Sequence, residues 1–235
     1  MTTLLFDAAG TLLRVDPSVG HVYAAHAARY GVESDPAVLN KAFKEAYADM
    51  RTASGGVSPF HTSEQIEREW WYSLVQRVFD SANLLTGFGS AFGLFFDALF
   101  DAFAEAGPWH VYDDVRPALS RLNQLGIRCA VASNWDSRLP RLITATELAP
   151  FFRSVHTSAD LGWSKPDPRF FETLVHLLGG RPGDYVHVGD EWENDISAAK
   201  SAGLEAFWIN RGPKSGANPF EISSLEELPE RISQV

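Results

Sequence analysis

Thr3-Leu4-Leu5-Phe6-Asp7-Ala8-Ala9-Gly10-Thr11-Leu12-Leu13 is the stretch on which the fold turns. Thr3 to Phe6 is a short, β-prone, mostly apolar run that reads as a buried strand, and it delivers a carboxylate, Asp7, just before a Gly-Thr turn. In an open α/β sheet, ligands bind outside the carboxyl ends of the strands, so Asp7 stands where chemistry is usually done. An Asp after a strand also serves as a plain turn cap. What separates the two readings is whether the rest of the chain brings partners to the same edge.

Beyond the opening stretch the period changes from strand to helix. Val19, Val22, Tyr23, His26, Ala27 and Tyr30 share one helical face, and a second helix runs from about Pro36 with Leu39, Ala42, Phe43, Ala46 and Tyr47 on its apolar side. A Gly/Ser-rich loop, Thr52 to Thr62, precedes an N-cap and first turn at Ser63-Glu64, and a last helix carries Phe92, Phe95, Phe96 and Leu99. Residues 16–107 therefore read as an inserted all-helical block. Its aromatics, Trp70 and Trp71 among them, recur at helical spacing and are expected to pack its core. His21, His26 and His61 have no partner at metal-ligand spacing. Lys41 and Lys44 fall on the polar side of their helix.

From Pro108 strands and helices alternate. Asp113-Asp114 opens a helix closed by Gly126; Ile127 to Ala132 is a strand ending at Ser133-Asn134; Ser154 to Thr157 is another. Lys165-Pro166-Asp167-Pro168 leads into a helix through Phe170, Phe171 and Leu174. Tyr185 to Val188 is a strand followed at once by Gly189-Asp190-Glu191-Trp192-Glu193-Asn194-Asp195. Ala206 to Ile209 is the next strand, the tail from Asn210 to Asn218 is turn-rich, and Ser224 with Glu227 forms a capping box. Such alternation implies right-handed βαβ crossovers and a parallel, Rossmann-like α/β sheet. The expected core is residues 1–15 and 108–235, with residues 16–107 a helical cap inserted between them.

Four polar pieces each follow an expected strand: Asp7, Ser133, Lys165 and the Asp190–Asp195 cluster. In that order they resemble the haloacid dehalogenase-like hydrolase superfamily, whose members carry a cap at the position of the helical block. The resemblance implies that Asp7 is a nucleophile that attacks phosphorus. It implies further that Ser133, Asn134, Lys165, Gly10 and Thr11 bind substrate, and that Asp7, the Ala9 backbone carbonyl, Asp190 and Asp195 hold Mg2+. The implied substrate is a small phosphorylated molecule. The physics agrees: a carboxylate and a phosphate approach one another only when their charge is neutralised, which a cation and Lys165 supply.

Position 9 departs from the pattern, because phosphatases of the superfamily have a second Asp there that protonates the leaving oxygen. Alanine keeps the carbonyl and loses the acid/base, which is worth about 10²–10⁴ in rate, or roughly 3–5 kcal/mol of barrier. Three readings follow: a phosphatase-type hydrolase with an unconventional acid/base step, a non-catalytic phosphate-binding protein, or a dehalogenase- or phosphonatase-type enzyme cleaving C–X or C–P bonds. A phosphonatase would need Lys41 or Lys44 as a Schiff-base lysine. The acidic run at residues 189–195 favours metal and phosphate.

Composition limits the partners. With 20 Lys+Arg against 30 Asp+Glu, the formal charge is −10 and no basic stripe offsets it, which excludes nucleic acid as an expected ligand. The longest apolar-rich stretch, Phe92 to Phe103, is broken by Asp97 and Asp101 and falls short of a bilayer span. The single cysteine, Cys129, lies in an expected strand and reads as a buried structural thiol, consistent with a cytoplasmic protein. Composition fixes no oligomeric state.

Overall fold

The computed structural model describes residues 2–53, 60–213 and 218–232, so parts of the Gly/Ser-rich loop and of the tail lie outside the described residues. In chain order, β1 (Thr3–Phe6) and β2 (Leu13–Val15) lead to four helices, α1 (Val19–Ala28), α2 (Pro36–Ala53), α3 (Glu64–Ser81) and α4 (Phe92–Ala102). Next come β3 (Trp109–Val111), α5 (Val115–Gln124), β4 (Arg128–Ser133), α6 (Arg138–Ala145), β5 (Val155–Thr157), α7 (Ser158–Leu161) and α8 (Arg169–Leu178). The chain ends with β6 (Tyr185–Gly189), α9 (Ala198–Ser201), β7 (Glu205–Ile209), β8 (Glu221–Ile222) and α10 (Leu228–Ile232).

These elements form two compact units. One comprises Met1–Arg14, Phe60–Ser63 and Val111–Val235, and the other Val15–Pro59 and Glu64–His110. The four-residue segment Phe60–Ser63 lies inside the stretch that reads as helical insertion, yet it belongs to the first unit. There Ser164 N–H donates to the Phe60 carbonyl at 2.7 Å and Thr62 N–H to the Gly162 carbonyl at 3.1 Å.

The first unit is built on a six-stranded sheet in the order β5-β4-β1-β6-β7-β8, every neighbouring pair parallel. β1 lies inside it, with Leu4, Leu5 and Phe6 fully buried. That is the near-continuous apolar run a parallel strand covered on both faces requires. Phe171, Phe170, Leu174 and Val175 of α8 pack with Leu5, Ala130, Ile196 and Ala199 in one cluster. Register then positions the site: Phe6 is level with Val131 of β4 and Val188 of β6. One residue further on, Asp7 emerges between those two strands and its N–H donates to the Val188 carbonyl at 2.9 Å. Strands β2, β3 and β8 are absent from the sequence reading because two or three residues carry no usable period. Cys129 on β4 is buried, which pushes its thiol up to about 12 and leaves it chemically inert.

The second unit is helical and aromatic at its centre. Tyr23 stacks on Phe79 at 6.1 Å, and Phe79 meets Phe95 and Phe88 edge-on at 5.1 Å each. Trp70 and Trp71 lie edge-to-face at 5.0 Å and pack against this cluster, as their spacing led us to expect. Lys41 and Lys44 are exposed, with Lys41 3.9 Å from Glu45, so neither lies in the desolvated apolar pocket that a Schiff-base lysine needs. No helix among the described residues is long and apolar enough to cross a membrane.

Phe79 is fully buried among three rings. Replacing it with Ala is expected to cost about 3–5 kcal/mol by urea unfolding. A loss below about 1 kcal/mol would show that the cluster collapses without it.

Candidate active site

Asp7 follows β1, Ser133 ends β4, Lys165 lies between α7 and α8, and Asp190 follows β6, so the sheet brings the four pieces to one edge. Their side chains meet. Asp7 Oδ1 accepts from the Ser133 hydroxyl at 2.9 Å and from Lys165 Nζ at 2.7 Å. Lys165 Nζ also donates to Asp195 Oδ1 at 2.5 Å. This lysine is 4% exposed, and its charge is matched by carboxylates on both sides. Asp195 accepts on both oxygens, Oδ1 additionally from His187 Nε2 at 3.0 Å and Oδ2 from Glu191 N–H at 2.9 Å.

Two glycines permit this closeness. Gly10 has φ +83°, and a Cβ there would sit 2.1 Å from Asp190 Oδ2; a Cβ at Gly189 would sit 2.1 Å from the Asp195 carboxyl carbon. Any larger residue displaces an acid. Asp195 itself lies in a π-helical turn, Trp192–Ser197, an irregularity that tends to occur at functional sites.

Several residues expected at the ligand are engaged within the protein. The Asn134 amide donates to the Lys165 carbonyl and accepts from its N–H, both at 2.8 Å, which ties the loop after β4 to the lysine. Gly10 N–H donates to the Leu13 carbonyl at 2.7 Å, and the Thr11 hydroxyl to Asp190 Oδ1 at 3.3 Å. These three residues shape the loops around Asp7. Ala9 is exposed.

Electrostatics follows from burial. Asp7 is pushed up to about 6, because desolvation outweighs the pull of Lys165. Asp190 is pushed up to about 7 by burial together with the charges of Asp7 and Asp195. Asp195 moves the other way: burial opposes ionisation, but Lys165 and His187 overcome it and hold the carboxyl well below the usual range. Burial alone would lower Lys165, yet Asp195 and Asp7 keep it above its ordinary value. Burial lowers His187, which leaves it a neutral donor to Asp195.

The donor set fits a hard cation. One oxygen from each of Asp7, Asp190 and Asp195 lies within 4.8 Å of the others, and three carboxylates face a single ammonium. All-oxygen donors with excess negative charge suit Mg2+. Asp190 is the freest of the three, since Asp195 is tied to Lys165.

Residues that sequence reasoning missed brace these loops. Arg211, just after β7, donates to the Thr11 carbonyl at 2.6 Å and the Gly10 carbonyl at 3.3 Å. It also pairs with Asp114 at 3.0 Å and lies over the Tyr112 ring at 3.7 Å. Asp114, expected to serve only as the acidic start of its helix, instead accepts from Arg211, Ser224 and Leu225 N–H. Trp208 Nε1–H donates to the Asp190 carbonyl at 2.8 Å. A lone Arg after a strand carries no signal that would mark it in advance.

The chain is similar to several known proteins. The haloacid dehalogenase-like hydrolase family profile matches residues 1–203. Haloacid dehalogenase-like hydrolase domain-containing protein 3 of Bos taurus is 31% identical, over 97% of this chain and 87% of its own length. N-acylneuraminate-9-phosphatase of Homo sapiens is 34% identical over 52% of each chain. Among solved structures, a HAD phosphatase from Thermococcus onnurineus superposes with a TM-score of 0.68 at 26% identity, covering 99% of this chain and 98% of its own.

The raised acids predict how metal binding depends on pH. A carboxyl that keeps its proton to about 6 or 7 must release it before it can ligate, so protons compete with the metal below those values. Mg2+ affinity measured by calorimetry should be on the order of 10²-fold weaker near about pH 5.5 than near about pH 7.5, with proton release on binding. An affinity flat across that range would contradict the assignment of Asp190 and Asp7 as ligands.

Proposed function

The chain belongs to the haloacid dehalogenase-like hydrolase family, and on that footing we propose that it is a Mg2+-dependent, phosphatase-type hydrolase of small phosphorylated molecules that uses Asp7 as its nucleophile. One observation carries the reading: Ser133 and Lys165 both hold Asp7 Oδ1, which leaves Oδ2 to attack phosphorus. Similarity to N-acylneuraminate-9-phosphatase supports a small phosphorylated molecule as substrate. The −10 formal charge would repel such a substrate at long range, so binding depends on cations inside the site.

Each residue then has a task. Lys165 and Ser133 fix the attacking carboxylate and offset charge on the incoming phosphoryl group. Asp195 and His187 hold Lys165 in place from behind, and Asn134 holds its backbone. Asp7, Asp190 and the Ala9 carbonyl would hold Mg2+, with Asp195 in reach. Bound there, Mg2+ would neutralise negative charge on the transferring group. The buried thiol of Cys129 suits a reducing, cytoplasmic setting.

Ala9 favours a second reading, in which the site binds phosphate without turning it over. Mg2+-dependent phosphate release from p-nitrophenyl phosphate decides between them. Under the hydrolase reading, wild type turns over and Asp7→Asn falls by at least about 10³-fold. Release that persists within about 10-fold in Asp7→Asn would remove Asp7 as nucleophile.

A further inference from the structure

Among the described residues of the first unit there is an attacking carboxylate but, once Asp190 holds the metal, no acid positioned for what leaves. Around Asp7 the ionisable groups are Lys165, Asp195 and Asp190. Lys165 is closed between two carboxylates at 2.7 and 2.5 Å. Asp195 accepts hydrogen bonds on both oxygens. Asp190 accepts from Thr11 and is the freest of the acids for the metal. His187 is fully buried behind Asp195, out of reach of any ligand. Tyr112 lies under the Arg211 guanidinium. The exposed residue on this loop is Ala9, a methyl group.

A leaving group that departs as an alkoxide needs a proton, because its conjugate acid is about as weak as water, near 15.7. One that departs as a carboxylate, whose acid has a pKa near 4, needs none. We propose that the substrate class of this site is acyl phosphates, mixed anhydrides of a carboxylic acid and phosphate, and that the phosphorylated Asp7 they form is long-lived. This rests on the phosphoryl-transfer reading above and sharpens it.

The balance is simple. Asp7 Oδ2 forms a bond to phosphorus, the bond from phosphorus to the bridging acyl oxygen breaks, and its electron pair leaves as a free carboxylate. No proton moves in this step. In the second step a water oxygen bonds to phosphorus, the Asp7–phosphorus bond breaks, and the water proton passes to solvent. The lack of a positioned base slows that step as well, by about 10²–10⁴ relative to an assisted attack, so the aspartyl phosphate accumulates.

The test uses the full chain with Mg2+ and two probes, acetyl phosphate and glycerol phosphate. Phosphate release is followed alongside intact mass after acid quench, for wild type, Asp7→Asn and Ala9→Asp, with folding of each checked by circular dichroism. In wild type, acetyl phosphate should give a rapid burst and a mass gain of one phosphoryl group that Asp7→Asn lacks. Glycerol phosphate should be slower by at least about 10²-fold. In Ala9→Asp, at an exposed position, the ratio between probes should fall by on the order of 10²-fold and the standing phosphoenzyme should decline. Asp7-dependent release from both probes within about 10-fold of one another would overturn the substrate class and leave the phosphatase reading standing. Turnover of acetyl phosphate without accumulated phosphoenzyme would overturn the long-lived intermediate. Failure of every probe to phosphorylate Asp7 would sink the hydrolase reading and this inference together.

Discussion

Lys165 Nζ lies 2.7 Å from one carboxylate, Asp7, and 2.5 Å from another, Asp195, almost without contact with water. Isolating an ammonium in the interior is costly, and removing one partner of such a pair commonly costs about 3–5 kcal/mol. The lysine, the loop that carries it and the two acids are therefore placed together or not at all. Asn134 enforces this by binding both backbone groups of Lys165. Burial first, and then three carboxylates about one lysine, push Asp7 up to about 6 and Asp190 up to about 7. A divalent cation relieves that imbalance, so the strain in charge and the capacity for metal have one origin.

Most of this was legible in the sequence because it sits at strand ends. A buried parallel strand announces itself as an apolar run, and the polar residue that follows must surface at the sheet edge. That logic found Asp7, Ser133 and Asp190, and a Lys-Pro-Asp-Pro turn marked Lys165. The supporting contacts could not be read in the same way. Arg211 acts on Gly10 and Thr11 from 200 positions away, and His187 looks like any strand residue until Asp195 is found beside it. The resemblance implies that Asn134 binds substrate; what the sequence does not report is that its amide also ties down both backbone groups of Lys165. Phe60–Ser63 read as part of the helical insertion because nothing in four residues reports a pairing with Gly162 and Ser164.

Ala9 gives the site its individuality. Ser133 and Lys165 hold Asp7, and Gly10 and Gly189 let Asp190 and Asp195 approach, while position 9 beside them carries a methyl group. A degenerate site would be expected to lose its expensive features first, above all the buried lysine and its two carboxylates. The presence of both here is what the proposed chemistry needs, in which attack matters and protonation of the leaving group does not.

A crystal structure of the full chain with Mg2+ and beryllium fluoride, a mimic of a phosphoryl group on a carboxylate, tests the central claim most directly. The account predicts beryllium bonded to Asp7 Oδ2, Lys165 still between Asp7 and Asp195, and the metal touching Asp7 and Asp190. Beryllium fluoride bound elsewhere, or a metal that leaves Asp190 untouched, would contradict it.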